Sequence, residues 1–293
     1  MQFLSYLVRG ISLGSVYALI ALGYTMVYGI AKMLNFAHGD VIMVGGYVVF
    51  FAFCKHGLNP WLAILLAMGA CTVLGILIER VAYKPLRGAP SLAVLITAIG
   101  VSYFLQNSAM LLWSSNPKSF TSVVSLDPIS LFDGRLLISA ETIVTILVSI
   151  VIMVVLIWFV QKTRPGHAMQ AVSEDRGAAQ LMGINVNGII SLTFAIGSAL
   201  AAIAGALLLS SYPTLVPTTG AMPGIKAFVA AVFGGIGSIP GAFIGGILLG
   251  IIENLSKAYI STQLSDAIVF LVLIVVLLVK PTGLLGKKVN VKV

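Results

Sequence analysis

The sequence predicts an all-α, polytopic membrane protein of eight or nine transmembrane helices, some of them broken or re-entrant. Three observations predict it. Of 293 residues, 59% are hydrophobic and only 9% are charged, whereas a soluble domain averages about 25% charged. So few charges cannot cover a water-facing surface, and lipid as solvent removes the need. Apolar runs fill the chain, at roughly 11–30, 40–54, 61–79, 91–113, 142–160, 188–210, 225–238, 240–256 and 266–279, against the ~20 residues that a span needs. The 30 glycines fit the same solvent, because small residues let membrane helices approach closely. The chain reads as one transmembrane domain over 1–293.

Taken in order, the first run has no basic segment, short apolar core and A-x-A site, so it is expected to stay as a membrane helix. The runs 40–54, 225–238 and 240–256 are short and Gly-rich, the mark of discontinuous helices lining a cavity. After 61–79 comes a loop with Arg80, Lys84 and Arg87, where Pro85 and Pro90 prevent helix continuation. The fourth run carries Gln106 and Asn107. The segment 114–140 is long, with Pro117, Pro128 and the turn-like Asp133-Gly134; it is a candidate docking surface or a tolerated insertion. Cys54 and Cys71 form neither a disulfide framework nor a metal-ligand spacing.

The net charge of +8 sits in the loops. Arg80, Lys84 and Arg87, then Lys162, Arg164 and Arg176, then Lys280, Lys287, Lys288 and Lys292 all fall on one side of the span pattern. The opposite loop sets Lys118 and Arg135 against Asp127 and Asp133. Lys and Arg mark the cytoplasmic side, so the balance is read as topology and lipid contact, with no nucleic-acid role. Nine crossings would place the N-terminus outside; eight would place it inside.

The polar stretch 162–187 interrupts this pattern. Pro165 and Gly166 stop the preceding helix. Ser173 reads as an N-cap, with Glu174 and Asp175 in the first turn, where carboxylates favour the dipole. Ala178, Ala179, Leu181 and Met182 follow, and Gly183 stands where a helix ends in a left-handed residue. Such a helix can lie in a partner's groove or on lipid headgroups. The small Ala178 and Ala179 favour the groove.

Ionisable groups within spans are costly and default to functional candidates. Asn35, His38 and Asp40 open the second run. Lys226 opens a short run, and Glu253 lies near the end of another, where it can pair with Lys226 or Lys257 or line a gate. Gln106 and Asn107 can bond across helices or face a substrate. These seven are the candidate translocation-path residues. The segments starting at Asn35 and Gly224 are both short and both followed by a Gly pair, a parallel that hints at an internal, inverted repeat. A path with weak polar contacts and no strong charge pair is expected. There is no triad, no metal cluster and no Gly-x-x-x-x-Gly-Lys-Ser/Thr, and Gly234-Gly-Ile-Gly237 lacks the lysine of a phosphate loop. No catalytic residue, metal or cofactor is expected.

Four stretches together resemble a known family. They are Gly23-Tyr-Thr-Met-Val-Tyr-Gly-Ile30, Leu34-Asn-Phe-Ala-His-Gly39, Glu174 to Ile184, and Gly224 to Gly241 with its Gly-Gly-Ile-Gly-Ser-Ile-Pro-Gly. The chain resembles the branched-chain amino acid ABC permeases, specifically their shorter subunit, from about residue 5 to 286. The resemblance implies an inner-membrane permease paired with a second, homologous permease, two cytoplasmic ATPases and a periplasmic binding protein. It implies that Glu174, Asp175, Arg176, Ala178, Ala179, Gly183 and Ile184 form the ATPase-coupling loop. Leucine, isoleucine and valine are the implied substrates; related permeases carry urea or other amides. A secondary transporter would instead need midplane carboxylates, for which only Glu253 and Asp40 qualify, and a channel would need rings of side chains.

Overall fold

The computed structural model describes residues 2–131 and 136–286. The Asp133-Gly134 pair, Arg135, Lys287, Lys288 and Lys292 lie outside the described residues. Eleven α-helices lie among the described residues, nine of them on the predicted runs and two, α6 and α7, in the polar stretch 162–187: α1 (Gln2–Ala31), α2 (His38–Val49), α3 (Pro60–Ile78), α4 (Ser91–Trp113), α5 (Ala140–Lys162), α6 (Arg164–Glu174), α7 (Arg176–Leu181), α8 (Val186–Ser211), α9 (Ala221–Gly234), α10 (Ile239–Tyr259) and α11 (Ser265–Val279). Among the described residues, seven helical stretches are long and apolar enough to cross a membrane; α9 and α11 are shorter apolar helices. The only strands among the described residues are short: β1 (Lys118–Ser119), β2 (Ile129–Leu131), β3 (Leu136–Ile138) and β4 (Thr214–Leu215). β1 pairs with β4 and β2 with β3, so the 114–139 segment is tied to the chain that follows α8.

Two expectations change. The run 240–256 is not a short element: α10 has 21 residues, because Ser238 caps it with Pro240 in its first turn and Lys257 pairs back to Glu253 one turn earlier. The Pro85 break is also displaced. α3 continues through a π-helical turn, Glu79–Tyr83, and a 3-10 turn, Lys84–Leu86, that contains Pro85. A proline early in a new turn has no backbone donor to lose there, so the chain turns only at 87–90.

α1 is the axis of the bundle. Every residue from Ser12 to Val27 is buried, as expected of a helix apolar on all sides. Its neighbours come close because both sides are small. A Cβ on Gly14 would lie 2.7 Å from the Ile247 backbone, and one on Gly10 would lie 2.9 Å from Ile251 Cα. α1 runs antiparallel to α10 along this seam. Farther along it crosses α8, where Gly23 and Gly197 face each other.

The contacts repeat with inverted topology. α1 packs on α10 and α2 on α8; reciprocally, α8 packs on α3 and α9 on α1. α1 to α4 thus form one unit and α8 to α11 the other. The units run in opposite directions, because α1 ends and α8 begins at the same end of the bundle. Arg176 touches Ala31 at the close of α1, and Arg87 touches Asn187 at the start of α8. We call this the basic end. At the opposite end, Asn254 of α10 donates to the Tyr6 carbonyl near the start of α1.

α2 and α9 are the discontinuous helices. After Ala31 the chain returns as non-helical backbone over 32–37 and sets His38 against Gly23, eight residues back along α1 or about 12 Å at helical rise. α2 therefore starts inside the bundle and runs to the opposite end. α9 also starts inside, with Gly220 and Gly224 against Gly39, and runs to the basic end, where Leu284 N–H donates to the Phe233 carbonyl. Irregular backbone at this depth is tolerated because protein surrounds it.

Gly14→Leu should therefore separate α1 from α10 and destabilise the fold by about 1–3 kcal/mol, whereas Gly69→Ala, which meets open space, should be neutral or slightly stabilising. Thermal melts followed by circular dichroism in detergent test this contrast; equal melting temperatures would refute the packing account.

Candidate functional site

The first cluster forms where α2 and α9 begin. Gly39, Gly220 and Gly224 bring the two helix starts into backbone contact; a Cβ on Gly224 would lie 2.8 Å from Gly39 Cα. Aromatic rings seal the crossing: Tyr24 meets His38 at 4.7 Å between centroids, and Phe228 meets Tyr24 at 5.8 Å and Phe36 at 5.3 Å. The space beside Tyr24, Asn35 and Phe228 is only about 10 Å³, so the crossing is closed. Asn35 accepts a bond from Tyr83 at 3.0 Å. Asp40, in the first turn of α2, accepts from Gln106 of α4 at 2.9 Å. His38 Nε2 is buried with no hydrogen-bond partner among the described residues.

The second cluster lies on another face of α9. Lys226 turns from the crossing toward α10 and α11, where it pairs with Glu253 at 2.8 Å and Asp266 at 2.6 Å. Lys257 joins Glu253 at 2.5 Å, and Tyr17 of α1 donates to the other carboxylate oxygen at 2.9 Å. Two cations meet two anions, so the network carries no net charge, and it satisfies the buried Glu253 fully. Glu253 thus pairs with both cations that lie within its reach in the sequence, Lys226 and Lys257, so a strong charge pair stands where weak polar contacts alone are expected of a path.

A third cluster sits at the basic end. Glu79, fully buried, is bonded by Arg87 and by Ser191 of α8 at 2.6 Å, and Arg87 also reaches Asn187. Glu79 went unread as a site residue, although it is an ionisable group closing an apolar run, the signal that marked Glu253. Tyr17 and Tyr83 gave no such signal, because only the fold brings them to a carboxylate or an amide, and only the fold brings Asp266 to the Lys226 ammonium. Of the seven path candidates, the structure gathers Asn35, His38, Asp40 and Gln106, and separately Lys226 and Glu253. Asn107 joins neither: it is exposed and donates to Tyr103 O in its own helix.

The 162–187 segment holds two short helices rather than one. Thr163 breaks the chain and caps α6, accepting from Gly166 N–H at 3.1 Å. Pro165 and Gly166 thus open a helix instead of only closing one. α6 buries Gly166, Met169 and Val172 on one face, a spacing of three that the single-helix reading missed. The cap of the next helix is Asp175, not Ser173; its carboxylate accepts from Ala178 N–H at 3.0 Å, while Ser173 bonds within α6. Glu174 accordingly ends α6 rather than starting the next helix. Gly183 has φ +82°, and the bonds from Ile184 N–H to Ala179 O and from Gly183 N–H to Gln180 O, both 3.0 Å, close a Schellman turn.

That turn decides which residues face outward. Leu181 and Met182 are 90% and 82% exposed, whereas Ala179 is buried beneath them. Glu174, Asp175, Ala178 and Gly183 are exposed, and Ile184 packs inward. Arg176 also turns inward and donates to the Ala31 carbonyl. Burial, and then the Arg87 charge, lower its pKa from the usual arginine value.

The helix set, the inverted units and the buried crossing define a multi-pass membrane protein with the architecture of a transporter. Comparison with known sequences makes this specific. A family model described as the permease component of branched-chain amino acid transport systems matches residues 6–277. The chain is 45% identical over 305 residues to the high-affinity branched-chain amino acid transport system permease protein LivH of Escherichia coli K12, covering 98% of this chain and 96% of that protein. It is 46% identical over 297 residues to BraD, the corresponding permease protein of Pseudomonas aeruginosa, with the same coverage. It is 31% identical to a probable branched-chain amino acid permease of Methanocaldococcus jannaschii, covering 92% of this chain and 88% of that one. The chain belongs to the branched-chain amino acid permease family.

Removing one partner of a buried ion pair costs about 3–5 kcal/mol. Lys226→Met should cost somewhat less, because Lys257 and Tyr17 still hold Glu253, while Asn107→Ala should stay within about 0.5 kcal/mol. Detergent melting curves of the two variants check the difference; a larger loss for Asn107→Ala would overturn the assignment.

Proposed function

We propose that the chain is a translocation subunit of an ATP-driven importer that carries leucine, isoleucine and valine across the bacterial inner membrane. The observation that carries this reading is the exposed Leu181-Met182 tip on a capped, Gly183-terminated turn at the basic end. Two large apolar side chains held out by a rigid turn suit a partner's groove. The partner is an ATPase on the cytoplasmic side, since this chain has no phosphate-loop motif of its own. A second, homologous permease, two ATPase subunits and a periplasmic binding protein complete the machine, as in importers of this family. The basic end is cytoplasmic by the distribution of Lys and Arg, so α1 begins outside. The 114–139 segment, tied to β4, faces the binding protein.

The substrate route passes the α2–α9 crossing. Asn35, His38, Asp40 and Gln106 supply weak polar contacts there, and Tyr24, Phe36 and Phe228 supply an apolar wall for a branched side chain. Selectivity then rests mainly on the binding protein. Asn107 lies off this route, and Lys226 with Glu253 borders it as a structural pair.

Reconstituting the chain with its partner permease, ATPases and binding protein in liposomes tests the reading. Leucine uptake should require ATP inside binding-protein-free vesicles supplied with binding protein outside; uptake driven by an ion gradient without ATP would reject it. Leu181→Asp with Met182→Asp should leave insertion intact and lower coupled uptake at least about tenfold, as loss of a buried apolar anchor does in other interfaces. Asn35→Ala or His38→Ala should slow uptake with binding-protein affinity unchanged. A changed order of preference among leucine, isoleucine and valine would instead place a true substrate site at the crossing.

A further inference from the structure

The continuation of α3, the π-helical turn Glu79–Tyr83 and the 3-10 turn Lys84–Leu86, runs beside the first half of α8. Its contacts there keep a regular spacing. A Cβ on Gly75 would meet Ser198, and the Tyr83 ring meets Phe194 at 5.3 Å between centroids. Glu79 accepts from Ser191 Oγ at 2.6 Å, and Arg87 donates to Asn187. Every fourth residue, 75, 79, 83 and 87, thus meets α8, and its partners 187, 191, 194 and 198 share one helix face.

Arg87 spends its two terminal nitrogens on two elements. One donates to the buried Glu79 of its own segment and the other to Asn187 in the first turn of α8. A guanidinium fork can hold two acceptors at once where an ammonium is a single point charge. Asn187 closes the segment that presents Leu181 and Met182. Four residues before Arg87, Tyr83 is fully buried and donates to Asn35 at 3.0 Å, in the non-helical backbone that leads into α2. The run 79–87 therefore touches the outward-facing segment at one end and the approach to a discontinuous helix at the other. π-Helical turns are rare and occur frequently at functional sites, and this one begins at Glu79 and ends at Tyr83.

We propose that residues 79–87 form a strut that fixes the ATPase-docking segment to the transmembrane helices, with Arg87 and Tyr83 as its positioning residues. Arg87 holds the finish of the docking segment through Asn187, and Tyr83 holds Asn35 ahead of α2. The three residues between them form a 3-10 turn, so the two bonds are held at a fixed spacing. Glu79 is fully buried and keeps its charge only while Arg87 is paired with it, which ties the start of the strut to its end. A movement of the docking segment is then shared with α8 and with the chain entering α2 instead of being lost in a loop. This role presupposes that Leu181 and Met182 meet an ATPase, and it is independent of where the substrate passes.

Two measurements on four variants test this. Arg87→Lys keeps the charge beside Glu79 but loses the fork, Asn187→Leu removes the acceptor, Asn187→Asp keeps one, and Tyr83→Phe deletes the hydroxyl that reaches Asn35. In the full chain alone, in nanodiscs, hydrogen exchange of the amides over 175–187 should quicken about tenfold in Asn187→Leu and Arg87→Lys, the usual effect of losing a bond to a charged group. Asn187→Asp should exchange like the unmodified chain. In the complex reconstituted with partner permease, ATPases and binding protein, leucine taken up per ATP hydrolysed should fall about tenfold in the same two variants, with hydrolysis continuing. Tyr83→Phe, which loses a neutral bond, should lower that ratio about threefold, and Asn187→Asp should preserve it. Uptake and hydrolysis that fall together at a constant ratio would show a purely structural role and overturn the proposal, as would a fully coupled Arg87→Lys. If Arg87→Lys fails to insert, Asn187→Leu and Tyr83→Phe decide it. Quickened exchange in the chain alone, beside an unmodified complex whose uptake needs no ATP, would uphold the strut's hold on the segment and reject the ATP-driven reading instead.

Discussion

Close backbone approach along α1 governs the rest of the molecule. In lipid there is no hydrophobic drive between helices, so association depends on packing and on the polar groups that packing buries. α1 satisfies this by being small where it is touched. Gly10 and Gly14 admit α10, and Gly23 admits both α8 and the ring of His38. With those three seams closed, α1 becomes an axis that both repeat units share, and the discontinuous helices can be stacked against it.

That axis also explains where charge is tolerated. Glu253, Lys226 and Asp266 come from three helices that would not meet unless α1, α9 and α10 were in tight contact. Their desolvation is offset only because cations and anions arrive in equal number and Tyr17 takes the remaining oxygen. Glu79 is satisfied in the same manner by Arg87 and Ser191. The polar residues at the α2–α9 crossing are different in kind. They are neutral or singly bonded, and they sit among aromatic rings instead of counter-charges.

The basic end links these interior groups to the surface. The segment 175–187 is anchored at its start by Arg176 on the Ala31 carbonyl and at its finish by Asn187 on Arg87. Between the anchors, the Schellman turn at Gly183 holds Leu181 and Met182 outward. The tip is thereby joined to the last turn of α1, next to the chain that leads to Asn35, and to the Glu79 cluster.

The amino-acid sequence by itself determined the solvent, the positions of the apolar helices and two of the three short segments, those that became α2 and α9, because these follow from local hydropathy, from glycine and proline, and from the rarity of charge. The runs at 91–113 and 188–210 match α4 and α8 closely, and Gly183 was legible as a helix end because a left-handed residue there favours glycine. Ion-pair partners were less legible. Lys226 and Glu253 were readable as unusual residues, but Asp266 and Tyr17 join them from distant positions, and no local pattern encodes a contact 236 residues apart. Asp175 rather than Ser173 caps α7 because α6 extends through Glu174, and α6 extends because Met169 and Val172 find a surface to bury against. Only the tertiary structure decided which of the alanines beside Gly183 faces outward and which arginine turns inward. Those facts depend on which helices pack together, and packing is a property of the whole chain.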